Sequence, residues 1–154
     1  MKKINVRING ELRSTFVENN DVLLGVLREK FGIISPKCGC GRGDCGACAI
    51  LLNGKSVRSC LILAIEADGQ EIETVEGISA NGLTKLQEKM VEMNAFQCGF
   101  CAPGIVISAT ELLRKNPNPK KEDVQEALSG NLCRCTGYVP IIDSILAVGK
   151  EASK

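Results

Sequence analysis

The chain has 154 residues, 44% of them hydrophobic, and its 19 basic and 18 acidic side chains leave a formal net charge of +1. That length permits one domain or two small ones, and the near-neutral balance argues against electrostatic recruitment to nucleic acid. Nine cysteines with no histidine exclude Rieske ligation, mixed cysteine/histidine zinc and histidine acid-base chemistry, so metal ligation must rest on thiolate or oxygen.

Met1-Lys2-Lys3 runs straight into the alternating Ile4-Asn5-Val6-Arg7-Ile8, and no long apolar run follows anywhere. Neither a targeting segment nor a membrane span is expected, which predicts a soluble cytoplasmic protein. Reducing cytosol disfavours structural disulfides, so the cysteines point to metal or redox chemistry.

Residues 4 to 8 alternate apolar and polar, Asn9-Gly10 supplies a two-residue turn, and Glu11 to Val17 alternates again, the pattern of a β-hairpin. Asp21 is placed to cap a helix with Leu23, Leu24, Leu27 and Phe31 on one face and Gly32 as its stop. Cys40, Cys45 and Cys48 then stand in the C-x4-C-x2-C spacing of plant-type [2Fe-2S] clusters. Gly39, Gly41, Gly43 and Gly46 let this loop curl and aim N–H groups at sulfur. Ala49 to Leu52 reads as a buried strand, Asn53-Gly54 as a turn and Lys55 to Arg58 as the return strand, which folds Cys60 back towards Cys48 as the fourth ligand. Gln70 to Val75 is expected as the last strand of a small mixed sheet. This order of elements resembles a β-grasp ferredoxin domain.

Glu76-Gly77 to Asn81-Gly82 reads as a linker. Leu83, Leu86, Met90 and Met93 beyond it make one apolar helical stripe, so both methionines are assigned to core. Pro103 suits the first turn of a helix continuing through Ile105 to Lys115, and Pro117 and Pro119 break it. Glu122 to Leu128 forms a third helix with Val124, Ala127 and Leu128 inward, and Pro140 opens a fourth that buries Ile141, Ile142, Ile145, Leu146 and Val148. The expected architecture is α+β, with a ferredoxin-like domain over residues 1–77 and an all-α four-helix domain over residues 82–154.

A second cysteine quartet lies at helix junctions in this later half, Cys98 and Cys101 as C-x2-C, Cys133 and Cys135 as C-x-C. Unpaired N–H groups at helix ends favour an anionic cluster there. Taken alone, the quartet also permits a four-cysteine zinc site. Its ferredoxin-type neighbour favours a second redox centre.

Gly39-Cys40-Gly41-x-Gly43-x-Cys45-Gly46-x-Cys48 with Ser59-Cys60-Leu61, then Gln97-Cys98-Gly99-Phe100-Cys101-x-Pro103-Gly104 and Gly130-Asn131-Leu132-Cys133-Arg134-Cys135-Thr136-Gly137-Tyr138, span nearly the whole chain. In these motifs the chain resembles the small iron-sulfur subunit of xanthine dehydrogenase/aldehyde oxidase-type molybdenum hydroxylases. The resemblance implies two [2Fe-2S] clusters, one on Cys40, Cys45, Cys48 and Cys60 and the other on Cys98, Cys101, Cys133 and Cys135. It further implies a molybdopterin-binding large subunit and a FAD-binding subunit as partners, with electrons passing from molybdenum through the helical-domain cluster, then the ferredoxin-like one, to FAD. By the same resemblance Gln97 bonds the pterin and Cys135 lies against it, while substrate chemistry stays on the partners.

Gly41-Arg42-Gly43-Asp44-Cys45-Gly46 matches G-x-G-x-x-G by accident, because no helix pattern follows and the motif contains a thiolate ligand. Cys38, where the family usually has another residue, is read as a free thiol, with ligand swapping with Cys40 as the alternative. Arg134 between two ligands is read as offsetting cluster charge, Arg42 is ambiguous, and Phe100 and Tyr138 are assigned to packing. Ala49 and Ala102 stand where the family often carries threonine, which removes hydroxyls without removing a ligand. Two rival functions remain at this point: a free-standing two-cluster ferredoxin, and a zinc-stabilised interaction module.

Overall fold

The structure is a computed structural model and describes residues 1–152. Strands β1 (Lys2–Ile8) and β2 (Glu11–Val17) pair antiparallel, Ile8 opposite Glu11 and Lys2 opposite Val17. Asn9 and Gly10 join them at φ 51 and 85°, both left-handed, as a tight two-residue hairpin requires. The alternation then puts Ile4, Val6 and Ile8 on one face, fully buried against Leu23, Val26 and Leu27 of helix α1 (Leu23–Glu29). A second hairpin, β3 (Ala49–Leu52) and β4 (Lys55–Arg58), turns on Asn53 and Gly54 at φ 49 and 80°.

Strand β5 (Glu71–Glu73) unites the two hairpins. It runs parallel to β1 and antiparallel to β3, giving the sheet order β2-β1-β5-β3-β4. The strand is shorter than the alternation over Gln70 to Val75 suggested, because the chain turns into the short helix α2 (Val75–Ile78). The expected linker is thus partly helical and well tied down. Asn9 donates from Nδ2 to Thr74 Oγ1 at 3.0 Å and accepts from the Thr74 N–H at 2.9 Å, and Asn9 packs so closely on Gly77 that a Cβ there has no room. Asp21 also departs from expectation. Val22 is the residue capping α1, without a side-chain bond, while the Asp21 carboxylate accepts from the Glu18 N–H and from Lys30 Nζ.

The later half packs helices α3 (Lys85–Glu92), α4 (Ala102–Lys115), α5 (Lys121–Leu128) and α6 (Val139–Ala152). Leu86, Met90, Ile105, Val124, Leu128, Ile141 and Ile145 form its core. Thr84 caps α3 with a reciprocal Gln87 contact, which leaves Leu83 outside the helix and 57% exposed instead of on the expected stripe. The two halves meet over Ala49, Leu51 and Ile107, with Val75 and Ile78 packed against them. Polar bonds flank this seam: Arg114 holds Glu73 through two nitrogens at 2.6 and 2.9 Å, and the Ser56 N–H donates to Glu111 at 2.9 Å. Among the described residues, no helix is long and apolar enough to cross a membrane.

Candidate metal centres

Cys40, Cys45 and Cys48 lie on the loop between α1 and β3, and Cys60 sits in a 3-10 turn, Ser59–Leu61, at the end of β4. The N–H groups of Arg42 and Cys45 point at Cys40 Sγ from 3.5 and 3.4 Å and hold its thiol down to about 6, against an ordinary 9.0. Such donors favour the ionised form a ligand must adopt. Burial first, then hydrogen bonding and charge from the neighbouring Cys48 thiol, pushes the Cys60 thiol up to about 11. The glycines matter here by their emptiness. A Cβ on Gly39 would stand 2.8 Å from Cys45 Sγ, and one on Gly43, at φ 90°, would strike Leu61 Cδ1 at 2.5 Å. Cys38 stands exposed before this set. Arg42 pairs with Asp44 at 2.5 Å on an exposed part of the loop, so its charge is locally answered.

Cys101 caps α4, with Cys98 in the turn before it, and Cys133 and Cys135 occupy the loop between α5 and α6. Cys135 Sγ lies 3.6 Å from Cys98 Sγ. Burial, followed by hydrogen bonding and charge from the neighbouring Cys133 thiol, pushes the Cys101 thiol up to about 12. Burial also opposes ionisation of Cys133, but bonds from Thr136, whose Oγ1 is 3.1 Å from its sulfur, outweigh it and lower the thiol. Cys98, Cys135 and Gln97 are exposed, as is Arg134, whereas Cys101 is buried.

The thiols of the two predicted quartets neighbour one another in pairs, Cys40 with Cys45, Cys48 with Cys60, Cys98 with Cys135 and Cys101 with Cys133. Among the described residues, no three or more His, Cys, Asp or Glu side chains converge as a single bound ion requires. Paired thiols suit a binuclear cluster, which takes two thiolates at each iron. The donor set and the glycine cradle thus fit a [2Fe-2S] group.

The two cysteine loops also touch. The Leu132 N–H, beside Cys133, donates to the carbonyl of Cys45 at 2.9 Å. Asn131, 1% exposed, donates from Nδ2 to Gly46 O at 3.4 Å and accepts from Ser108 Oγ at 2.8 Å, while Arg58 donates to Gly130 O at 2.6 Å. Neither Gly46, at φ 73°, nor Gly104 leaves room for a Cβ at this crossing. Phe100 reaches from the second loop to Gly39, with Lys37 Nζ 5.7 Å from its ring centroid. Sequence reasoning missed Asn131, Ser108 and Arg58 as the ties between loops, and gave Tyr138 too small a part. The Tyr138 hydroxyl accepts from the Cys133 N–H and donates to Asn131 O, each at 2.9 Å. An Asn following Gly130 in a short loop between helices was the available signal for Asn131; a phenol carries no such signal.

Residues 6–80 match the family described as 2Fe-2S iron-sulfur cluster binding domain, and residues 74–146 match the [2Fe-2S] binding domain family. The small subunit of nicotine 6-hydroxylase from Paenarthrobacter nicotinovorans is 50% identical over 153 residues, which are 99% of this chain and 93% of that one. The chain belongs to the small iron-sulfur subunits of the xanthine dehydrogenase/aldehyde oxidase-type molybdenum hydroxylases. This iron-sulfur subunit is also 49% identical over 139 residues to the small FeS subunit of nicotinate dehydrogenase from Eubacterium barkeri, covering 90% of this chain and 88% of that one. The crystal structure of quinoline 2-oxidoreductase from Pseudomonas putida 86 superposes on the iron-sulfur subunit with a TM-score of 0.94 at 46% identity, covering 99% of this chain and 96% of that one. Both halves are 2Fe-2S binding domains, so the second quartet aligns with iron-sulfur and not with zinc chemistry.

Proposed function

We propose that this chain carries electrons from a molybdopterin site on a large partner subunit, through a second-quartet cluster and then a first-quartet cluster, to FAD on another partner. Cys98, Cys101, Cys133 and Cys135 hold the first group the electron meets; Cys40, Cys45, Cys48 and Cys60 hold the next. The single observation that supports this reading is the pairing of thiols, Cys98 with Cys135, Cys48 with Cys60 and Cys101 with Cys133, on loops joined by the Leu132 to Cys45 hydrogen bond. Each [2Fe-2S] group, when bound, supplies one reversible one-electron step. The chain's own residues do the rest. Backbone N–H groups stabilise the ligating sulfur of Cys40, the tie between Cys45 and Leu132 keeps the loops in register, and burial of Cys48 and Cys101 shields one side of each site.

Gln97 and Cys135 make the pterin contact in this proposal, supported by their exposure beside exposed Cys98. The boundaries at residues 1–77 and 82–154, the β-grasp and four-helix descriptions, and a cytoplasmic location belong to the same reading. Cys38 remains a free thiol in it. The relatives named above act on nicotine, nicotinate and quinoline by their names, so a nitrogen heterocycle is the proposed substrate class of the assembled complex.

Low-temperature EPR of the anaerobically purified, dithionite-reduced complex tests the proposal, with iron, acid-labile sulfide and zinc counted on the same sample. Two distinct S = 1/2 signals and iron for two binuclear clusters per chain are expected. One signal, or zinc in place of iron, overturns the two-cluster path. Isolation of the chain in fully active form without large flavin and molybdenum subunits would favour the free-standing ferredoxin instead.

A further inference from the structure

We infer that Thr136 and Tyr138 form a positioning device for the second centre, in which the Thr136 hydroxyl is held as a hydrogen-bond donor to the Cys133 sulfur and raises that centre's reduction potential. The inference rests on the reading of Cys133 as a cluster ligand. Tyr138 has a φ of 71°, left-handed backbone that a bulky aromatic residue adopts only under constraint. Gly137 before it is left-handed as well, at 63°, so the chain doubles back on the ligand loop. The reversal brings the Tyr138 N–H to Thr136 Oγ1 at 3.2 Å and the phenol to the other side of the loop, where it accepts from the Cys133 N–H and donates to Asn131 O.

Thr136 Oγ1 is 3.1 Å from Cys133 Sγ. A ligating thiolate carries no proton, so the hydroxyl must be the donor in that contact. The Tyr138 N–H occupies one lone pair of the hydroxyl oxygen and leaves its proton aimed at sulfur. Tyrosine suits the position because its hydroxyl can accept and donate at once; phenylalanine would leave the Cys133 N–H and Asn131 O without that partner. Reduction adds negative charge to a cluster, and a donor on a ligand sulfur stabilises the more negative state, which moves the potential upward. In the first quartet the corresponding donors to Cys40 are backbone N–H groups, so this side-chain control is specific to the second. A higher potential at the centre that receives electrons first favours their entry from the partner.

EPR-monitored redox titration of the whole complex tests this, comparing wild type with Thr136→Val, Thr136→Ser and Tyr138→Phe. The second centre's signal is assigned as the one abolished by Cys133→Ser. Thr136→Val is expected to keep both signals and shift only the second centre's midpoint to lower potential, with Thr136→Ser restoring it. Tyr138→Phe is expected to shift the same midpoint in the same direction by a smaller amount. An unmoved midpoint in Thr136→Val with both centres present overturns the inference. Should Thr136→Val fail to assemble the centre, an unmoved midpoint in Tyr138→Phe overturns it. Failure of the two-cluster reading is distinguishable, because the wild-type complex would then lack iron for one quartet.

Discussion

The two quartets achieve similar sulfur pairing by different physical means. In the sheet half, Cys40, Cys45 and Cys48 hang from a glycine loop whose curled backbone donates directly to sulfur, and a hairpin delivers Cys60 from the far end of β4. In the helical half, two short turns at helix ends carry the cysteines, and side chains join the backbone donors in fixing them: Thr136 on the Cys133 sulfur, Tyr138 on the Cys133 N–H, with the Phe100 N–H on Cys98. A glycine loop offers many donors but little stiffness of its own, because glycine is the most permissive residue. The first loop is accordingly braced from outside, by Leu61 against Gly43 and by the Gly130 to Leu132 segment against Gly46. The second loop supplies that brace and carries its own internal clamp. Local hydrogen-bond chemistry thus differs where both sets are four cysteines.

The largest expected effect comes from breaking the brace. Gly46 and Gly99 both have positive φ, 73 and 78°, but a Cβ on Gly46 runs into Gly130 O and Asn131 whereas one on Gly99 meets nothing within 4 Å. Gly99→Ala should cost only the backbone term, about 1–2 kcal/mol. Gly46→Ala adds overpacking against backbone, for a total of about 2–5 kcal/mol. Denaturant unfolding of the cluster-loaded protein gives both numbers; equal losses in the two variants would show that contact between the loops carries no stability.

A smaller effect concerns Glu76, which secures the segment joining the halves. Burial pushes its carboxyl up, but bonds from the Ser35 hydroxyl at 2.5 Å, the Thr74 hydroxyl at 2.6 Å and the Ser35 N–H at 2.9 Å outweigh it and hold it below the ordinary 4.5. A depressed carboxyl contributes stability that is complete above its ordinary value and disappears as pH falls through the lowered one. Glu76→Gln should therefore cost about 1 kcal/mol at neutral pH, allowing for partial exposure, and match wild type once both are acidified below that range. Denaturant midpoints taken from pH 7 downward check the sign. The smallest effect belongs to Arg42→Ala: the pair with Asp44 is largely solvent-exposed, so unfolding midpoint and both EPR signals should stay unchanged. A shifted first-quartet potential would instead give Arg42 an electrostatic part in that centre.

Much of this molecule was legible residue by residue. Asn9-Gly10 and Asn53-Gly54 announced both hairpins, because left-handed turn positions select those residue types within a few bonds of the strands they join. Cysteine spacing pointed to both quartets, since a four-thiolate cluster limits how far apart its nearest ligands can lie on one loop, and their ligand role belongs to the proposed function. Helical periodicity marked Met90, Val124, Ile141 and Ile145 as core, and they are buried. The misreadings fall where a side chain takes a partner that the local pattern does not name. Asp21 looked like a helix cap, but Lys30 and the Glu18 N–H take its carboxylate. Glu76-Gly77 to Asn81-Gly82 read as a linker, whose start is the helix α2 that Ser35 and Asn9 fasten.

Hairpin turns, helix stripes and ligand spacing are short-range properties, and the sequence by itself determined them. The parallel pairing of β5 with β1, the insertion of β5 between the two hairpins, and the crossing of Gly46 with Gly130 and Asn131 were decided only by the tertiary structure. The reason is that a strand's alternation says which face is buried but not which neighbour covers it. Tyr138 shows the same limit at a single residue: aromatic character assigns it to packing, and only the fold places its hydroxyl between the Cys133 N–H and Asn131 O.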